Sequence, residues 1–552
     1  MSARTALVLL LALSTLSLLV GCGSSTPSAQ APPTGAFTTS SLSGTYVVSF
    51  SGTDISAVND GLTNSGSFFA VVGTLTATNG SLTGIIDLVD PSLALVAGGT
   101  TGGVNPVQPG LAVTGSYRIS ADGRGTGSIS FPVNSQTEQF GIDFVLSSPS
   151  SGQITRFDSN GTGSGTFDLQ GSVSQSGLGS YAFSLSGVDP DADAFGTVGA
   201  FTVGGTGTIT TGIEDVNDGN NANGTTGIAL NGSVTLGSSG AAGTAVLAGT
   251  GSPYGTQFDV WPIDGTHLKL IETDGVEYIA GDAFTQQTSI PAGQLVYSMS
   301  GLDAGNLLAS GGFMSYDGSS VISNGFEAMN DLSLTSVAQS ETVAGTLTTS
   351  GTSGRYQLSL SGFYNGEGGI VTSPLFAAYP STSGILLLEI DGLGVTAGTA
   401  FEQSATTLGT AQGYGLNLTG ENSDGEVDDI AEFVVNSSGT LSDGLIDEND
   451  NGIEVLPNQA LGPNGVYSFA GTGYGSISYP QTETTLIGAL DLAFFVANSS
   501  TVVFIETDAG AQTGVGSLQL QSASGASPAL AHTQAHAAAL KAVAASHRKR
   551  QK

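Results

Sequence analysis

One cysteine, Cys22, is present among 552 residues, so no disulfide can close within the chain. Positive charge is almost as scarce: 11 Lys and Arg stand against 45 Asp and Glu, for a net charge of −34. Between Gly23 and Gln521 the basic side chains are Arg118, Arg124, Arg156, Lys269 and Arg355, and every acidic residue lies in that same stretch. Phosphate repulsion therefore excludes nucleic acid as a partner of this body. The body has a single histidine, His267, so the His and Cys clusters that zinc requires are missing. A Ser-His-Asp triad would have to use His267, but no Gly-x-Ser-x-Gly elbow opens a helix. Aspartic-protease Asp-Thr-Gly or Asp-Ser-Gly and the Walker lysine are also absent. His267 itself, in Thr266-His267-Leu268-Lys269-Leu270, reads as a solvent- or edge-facing strand residue.

What is abundant is glycine, 83 residues, beside Ser, Thr, Ala and Val. Glycine and β-branched residues disfavour helix. A hydrophobic share of 39% is enough to build cores, which argues against disorder. Short β-strands joined by Gly-rich turns satisfy both conditions.

The N-terminus carries Arg4, then a largely apolar run from Ala6 to Val20, then Gly21-Cys22. A charged start, an apolar middle and small residues before a cut form a secretory signal, and the run is shorter than the roughly 20 residues of a membrane-spanning helix. Leu19-Val20-Gly21-Cys22 resembles the lipobox of bacterial lipoproteins. The resemblance implies removal of residues 1–21 and lipidation of Cys22. Gly23, in place of Asp, implies sorting to the outer membrane. Residues 22–41, rich in Ser, Thr, Pro, Ala and Gly, read as a flexible tether.

The body repeats. Gly44-Thr45-Tyr46, Gly179-Ser180-Tyr181, Leu295-Val296-Tyr297 and Gly413-Tyr414 open four units, and Tyr181, Tyr297 and Tyr414 are 116 and 117 residues apart. A middle marker of Gly with Asp six positions on recurs as Gly84/Asp90, Gly212/Asp218, Gly325/Asp331 and Gly444/Asp450. Near each end an apolar run closes on an acid: Phe157-Asp158, Glu272-Thr273-Asp274, Glu389-Ile390-Asp391 and Glu506-Thr507-Asp508. Three anchors in one order predict four tandem all-β domains, antiparallel barrels or sandwiches of about 115 residues each, long enough for separate cores. The expected domains are 42–170, with an insertion around Pro91 to Pro109, then 177–287, 292–404 and 408–522. An Ala-rich basic tail, 523–552, follows. In the second unit, strands are expected around Tyr181–Gly187, Gly196–Val203, Gly207–Ile213, Gly227–Val234, Gly243–Gly249, Gln257–Trp261, His267–Glu272 and Ala283–Gln286. A Gly-x-aromatic opening followed by an eight-strand meander resembles the lipocalin and avidin group of calycin-like barrels, although Tyr replaces the usual Trp.

Two sets of residues are candidates for chemistry. Asp447, Asn449 and Asn451, ahead of Gly452, place oxygens at alternate positions as in the first half of a calcium loop, although position 12 is Asn458 and not Glu. Asp215-Val216-Asn217-Asp218 occupies the same place in the second unit, and Asp189, Asp191 and Asp193 alternate earlier. The competing reading is a hairpin turn that uses Asn, Asp and Gly for its geometry. Glu272, Glu389 and Glu506 share one position and the parity of apolar neighbours; each reads as a carboxylate at a strand mouth or lining a pocket. Arg156 takes that position in the first unit, which speaks against a common catalytic role. The basic tail reads as a solubilising end, or as a segment docking on anionic lipid or on the acidic body.

These features describe a lipid-anchored envelope protein without enzymatic activity, resembling uncharacterised bacterial surface lipoproteins. It would act as an array of structural or adhesin-like binding modules for a glycan or protein ligand. The alternatives are a small-ligand carrier with barrel cavities and an enzyme acting on polysaccharide through paired carboxylates.

Overall fold

The computed structural model describes residues 37–523, except 60–65, 95–102, 135, 220–223, 238–241, 304–305, 352–353, 365–369, 372–373, 462–463, 481–488 and 509–510. The signal segment, Cys22, most of the tether and nearly all of the basic tail lie outside the described residues. The tether is shorter than its composition suggests. Phe37 is buried and its N–H donates to Ala121 O at 3.1 Å, and Tyr117 Oη donates to Thr39 O and Leu42 O. The buried Phe37 ring and these hydrogen bonds together pin residues 37–41 to the first barrel.

The fold is all-β. In barrel one, Gly44–Asp54 pairs antiparallel with both Ser67–Thr78 and Gly161–Leu169, which closes eight strands into a ring. Barrel two closes Ser180–Val188 against Ala194–Val203 and Tyr278–Thr285, and barrel three closes Gly293–Asp303 against Asn306–Tyr316 and Gly394–Glu402. Barrel three carries an extra two-stranded flap, Phe363–Tyr364 with Ile370–Val371. The last unit, Gln412 to Leu520, is a nine-stranded sheet in the same order. Its ninth strand comes from a break: the counterpart of Thr225–Thr235 is divided into Glu454–Ala460 and Val466–Gly471. One half pairs with Leu441–Asp450 and the other with Tyr474–Tyr479, and the bridge Thr440↔Val466 spans the break. Barrel two divides its intact strand between the same two neighbours. Of the two architectures expected, the first three units are closed meander barrels, and the fourth, called barrel four below, is an open sheet with the same meander order.

Each unit buries its own apolar core. The opening tyrosines Tyr46, Tyr181, Tyr297 and Tyr414 all sit in these cores, packed with the inward residues of the other strands. The strands run further than the apolar alternation suggests. Ile209–Asp218 and Leu441–Asp450 carry the acidic runs at their ends, so Asp215-Asn217-Asp218 and Asp447-Asn449 belong to strands, while Asn451 and Gly452, both at positive φ, form the hairpin turn that the competing reading expected.

The four barrels form a ring. The second strand of each packs on the closing strands of the next: Ser67–Thr78 on barrel two, Ala194–Val203 on barrel three, Asn306–Tyr316 on barrel four, and Glu426–Val435 back on barrel one. The connecting peptides repeat this relation. Gly171 N–H donates to Ile263 O, Gln287 N–H to Pro380 O and Ser404 N–H to Ala497 O, each reaching forward to the following barrel. After barrel four, Ser522 N–H donates to Ser147 O of barrel one at 2.8 Å. A glutamine precedes each contact, and Gln170, Gln403 and Gln521 donate through Nε2 to Pro262, Val496 and Leu146 carbonyls. A head-to-tail relation that returns to its start is a closed ring.

Asparagine latches secure three of the four seams. Asn217 Nδ2 donates to Glu389 O and Gly394 O, both at 2.7 Å; Asn330 Nδ2 to Glu506 O and Gln512 O; Asn449 Nδ2 to Arg156 O and Gly161 O. The fourth equivalent is Val89, buried in the apolar cluster between barrels one and two. Replacing Asn449 by Ala strands two buried carbonyls. The expected cost is about 1–3 kcal/mol, read as a lower thermal midpoint and faster amide exchange at residues 156–161.

Candidate functional site

The chemistry-bearing side chains gather at the seams and at the barrel ends. The residue three after the middle-marker glycine is Asp87, Asp215, Ala328 or Asp447 in the four units, and each faces the next barrel. Asp87 Oδ2 accepts from Trp261 Nε1 at 2.7 Å. Asp215 accepts from Arg355 Nε and Nη2 at 2.7 and 2.8 Å and from Tyr379 Oη at 2.5 Å. Ala328 shares an apolar cluster with Phe495. Trp261, Tyr379 and Phe495 occupy equivalent strands of their barrels. The pairing is complementary: aspartate stands where the facing aromatic has a donor, and alanine where it has none. At the last seam the aromatic position is Val145, and Asp447 Oδ2 takes Arg124 Nη1 at 2.8 Å instead.

The expected calcium ligands are therefore engaged otherwise. Asp447 is paired with Arg124 and accepts from Asn458 N–H; Asn449 latches barrel one and accepts from Gly452 N–H through Oδ1; Asn451 Nδ2 donates to Asp424 O. Their alternation, which suggested a loop, is strand parity that turns Asp447 and Asn449 onto barrel one. The Asp447 and Asn449 oxygens are taken by protein donors, and Asn451 Oδ1 stands alone without one. Among the described residues, no group of three or more His, Cys, Asp and Glu is placed to hold a metal.

His267 is also not where the sequence suggested. It is buried, stacked on Phe284 at 4.2 Å, with Nε2 2.6 Å from Asp282 Oδ1. Lys269 Nζ reaches the same carboxylate at 2.9 Å and Thr166 of barrel one at 3.1 Å. Burial opposes ionisation of Asp282, but Lys269 and His267 outweigh it and hold the carboxyl far below the usual range. Leu268 and Leu270 fill the barrel, so the alternate residues His267 and Lys269 face the seam. Of the five body cations, Arg124, Arg156, Lys269 and Arg355 are buried beside carboxylates, and Arg118 is exposed. The sequence signal for this was their scarcity, since in so acidic a body a cation finds an acid easily.

Glu272, Glu389 and Glu506 lie buried at strand ends, on the inward parity of Leu270, Leu387 and Phe504. A cavity of about 40 Å³ lies in barrel one among Leu42, Tyr46, Leu82, Tyr117 and Phe167, far below the roughly 300–1,000 Å³ of a small-molecule site. The barrel interiors are filled by aromatic and aliphatic side chains.

No protein-family model matches the chain, and no curated protein does. Among solved structures it is similar to a mutant of the vaccine antigen transferrin-binding protein B (TbpB) from Haemophilus parasuis Hp5. That match has 10% identity, covers 87% of this chain and 95% of the other, and has a TM-score of 0.17. At that score the two do not superpose as wholes, and the likeness carries no argument about function.

Seam complementarity is testable by a double-mutant cycle. Trp261→Phe alone leaves the Asp87 carboxylate buried without its indole donor, at an expected cost of about 1–3 kcal/mol. Adding Asp87→Ala recreates the Ala328/Phe495 arrangement and recovers most of the loss in chemical denaturation. At the closing seam, Arg124→Ala leaves Asp122 and Asp447 buried without their cation and costs about 3–5 kcal/mol.

Proposed function

We propose that the protein is a lipid-anchored, non-enzymatic component of the bacterial cell envelope that presents a rigid ring of four barrels as a structural or binding scaffold. The observation that supports it best is filled barrels joined by buried, mutually specific seams. Four cores and four seams spend the chain's apolar and charged residues on internal order. A carrier would need open interiors, and these are packed. Recognition is left to the outer loops and strand faces, whose ligand is a glycan or a protein. The exterior of the body is acidic, because four of its five cations are internal, so complementary charge on the ligand would speed encounter at low salt.

The anchoring part of this reading rests on the lipobox-like Leu19-Val20-Gly21-Cys22. Mass spectrometry of the mature protein is expected to find a diacylglyceryl-modified Cys22 at the N-terminus and residues 1–21 removed. Cys22→Ala is expected to shift the protein from the membrane to the soluble envelope fraction with its thermal midpoint unchanged. An unmodified Cys22, or an N-terminus elsewhere, would refute the anchor.

A further inference from the structure

One inward position at the end of each barrel holds Arg156, Glu272, Glu389 or Glu506, always with an aspartate two residues on: Asp158, Asp274, Asp391 or Asp508. Barrel one shows what the position requires. Arg156 donates to Asp54 Oδ2 at 2.6 Å and Asp158 Oδ2 at 3.1 Å, and its guanidinium lies 4.0 Å from the Phe140 ring centroid and 5.0 Å from that of Phe69. A buried cation there offsets the carboxylates, Asp90 among them.

Barrel two keeps these acids as Asp189, Asp218 and Asp274, barrel four keeps Asp450 and Asp508 with Asn422 in place of Asp54, and both exchange the cation for another acid. Glu506 is buried, and neither carboxyl oxygen has a hydrogen-bond partner; nor has Oδ1 of Asp429, also buried. Strand parity turns both inward, Glu506 with Phe504 and Asp429 with Ala431 and Phe433. The charged groups facing them are Asp508 and Asp491 near Glu506, and Asp428, Glu448 and Asp450 near Asp429. Glu272 is buried; its Oε1 accepts from Val276 N–H at 3.1 Å, and its Oε2 is unpartnered. It faces Asp274, Glu277 and Tyr278, with Asp218 and Asp189 behind Glu277. Among the described residues, no Lys, Arg or His forms an ion pair with Glu272 or Glu506. The neighbouring Lys269 and His267 lie on the opposite face of the strand.

Buried ionised carboxylates without partners are strongly unfavourable, and such a group neutralises instead. No trio of acids here is placed for a metal. A proton needs no trio: it turns one carboxyl oxygen into a donor and the neighbouring carboxylate into its acceptor. We propose that Glu272 and Glu506 are protonated at neutral pH, each donating its O–H to the aspartate two residues on, so that a proton fills in barrels two and four the role of the Arg156 guanidinium in barrel one. The direction of titration agrees. Burial and then the Asp274 contact push Glu272 up to about 10; Asp274, despite burial, is held below its usual value by Glu272 and the N–H groups of Thr256 and Gln257. Burial pushes both Glu506 and Asp508 up.

The sign follows from linkage. A carboxyl whose folded pKa is raised stabilises the fold fully in the acidic range, and that stability is lost as pH rises from the ordinary glutamate range through the folded value. The two barrels would act as an alkaline-sensitive element beside the pH-insensitive Arg156 of barrel one.

The test uses infrared spectroscopy of the whole protein. At neutral pH the wild type is expected to show a protonated carboxylic C=O band that persists into mildly alkaline buffer. Glu272→Gln with Glu506→Gln, whose amides still donate to Asp274 and Asp508, is expected to reduce that band by the share of two carboxyls, leaving that of other buried acids such as Glu327 and Asp143, and to flatten the fall of the thermal midpoint between pH 6 and pH 9. Absence of the wild-type band at neutral pH, which needs no variant, overturns the proposal. So does an unchanged alkaline decline in the double variant. Loss of the band on adding Ca²⁺, with a higher midpoint, would assign the site to a metal and also overturn it.

Discussion

The ring depends on aspartates that have been taken out of water at the seams. A buried carboxylate is tolerated only with donors aimed at it; each of these accepts one backbone N–H from its own barrel, Gly110, Gly227 or Asn458, and its side-chain donors from the next: Trp261 for Asp87, Arg355 and Tyr379 for Asp215, Arg124 for Asp447. Each seam is thus a condition on its neighbour. Slipping a barrel by one strand would leave the acid unpaired on one side and the donor unpaired on the other. Such contacts add specificity more surely than stability. Apolar clusters hold the first three seams together, around Trp261 and Ile271, around Tyr379 and Leu388, and around Phe495 and Ile505.

Much of the architecture was legible because a barrel of this kind writes itself in local terms. Tyrosine at each opening, alternation of period two and glycine turns placed strands such as Gly243–Gly249 and His267–Glu272 at their observed bounds. Boundaries failed where strands outran their apolar stretch. Tyr278–Thr285 begins five residues before the expected Ala283, and Ile209–Asp218 runs on through its acids. Glycine and aspartate lower strand propensity, but pairing with neighbouring strands decides the outcome. The site was legible only in part. The recurring middle marker was visible, yet its meaning required the other surface: Asn449 and Asp447 look like ion ligands until Gly161 and Arg124 are brought opposite them, 288 and 323 residues away in the chain. His267 misled for a related reason, because a strand exposed in an isolated barrel is interior in a ring.

A chain of independent modules would leave its last barrel free, and this one does not. Barrel four meets barrel one through Arg124–Asp447, the bonds from Thr162 and Ser164 to Asp428, and Asn449. Among the described residues no apolar cluster joins these two barrels, unlike the other seams. It is also the seam with no peptide linking the two barrels directly. The other three seams are tethered, so closure adds to a pairing already confined by chain connection. Here three prior seams act as the tether and set the effective concentration of one face at the other. That geometry lets hydrogen bonds to charged groups, modest between free partners in water, suffice for closure. It also explains why Ser522 repeats, on barrel one, the backbone bond that each connecting peptide makes to the barrel it leads into: the segment after barrel four is used as a linker would be, with the first barrel taking the place of a fifth.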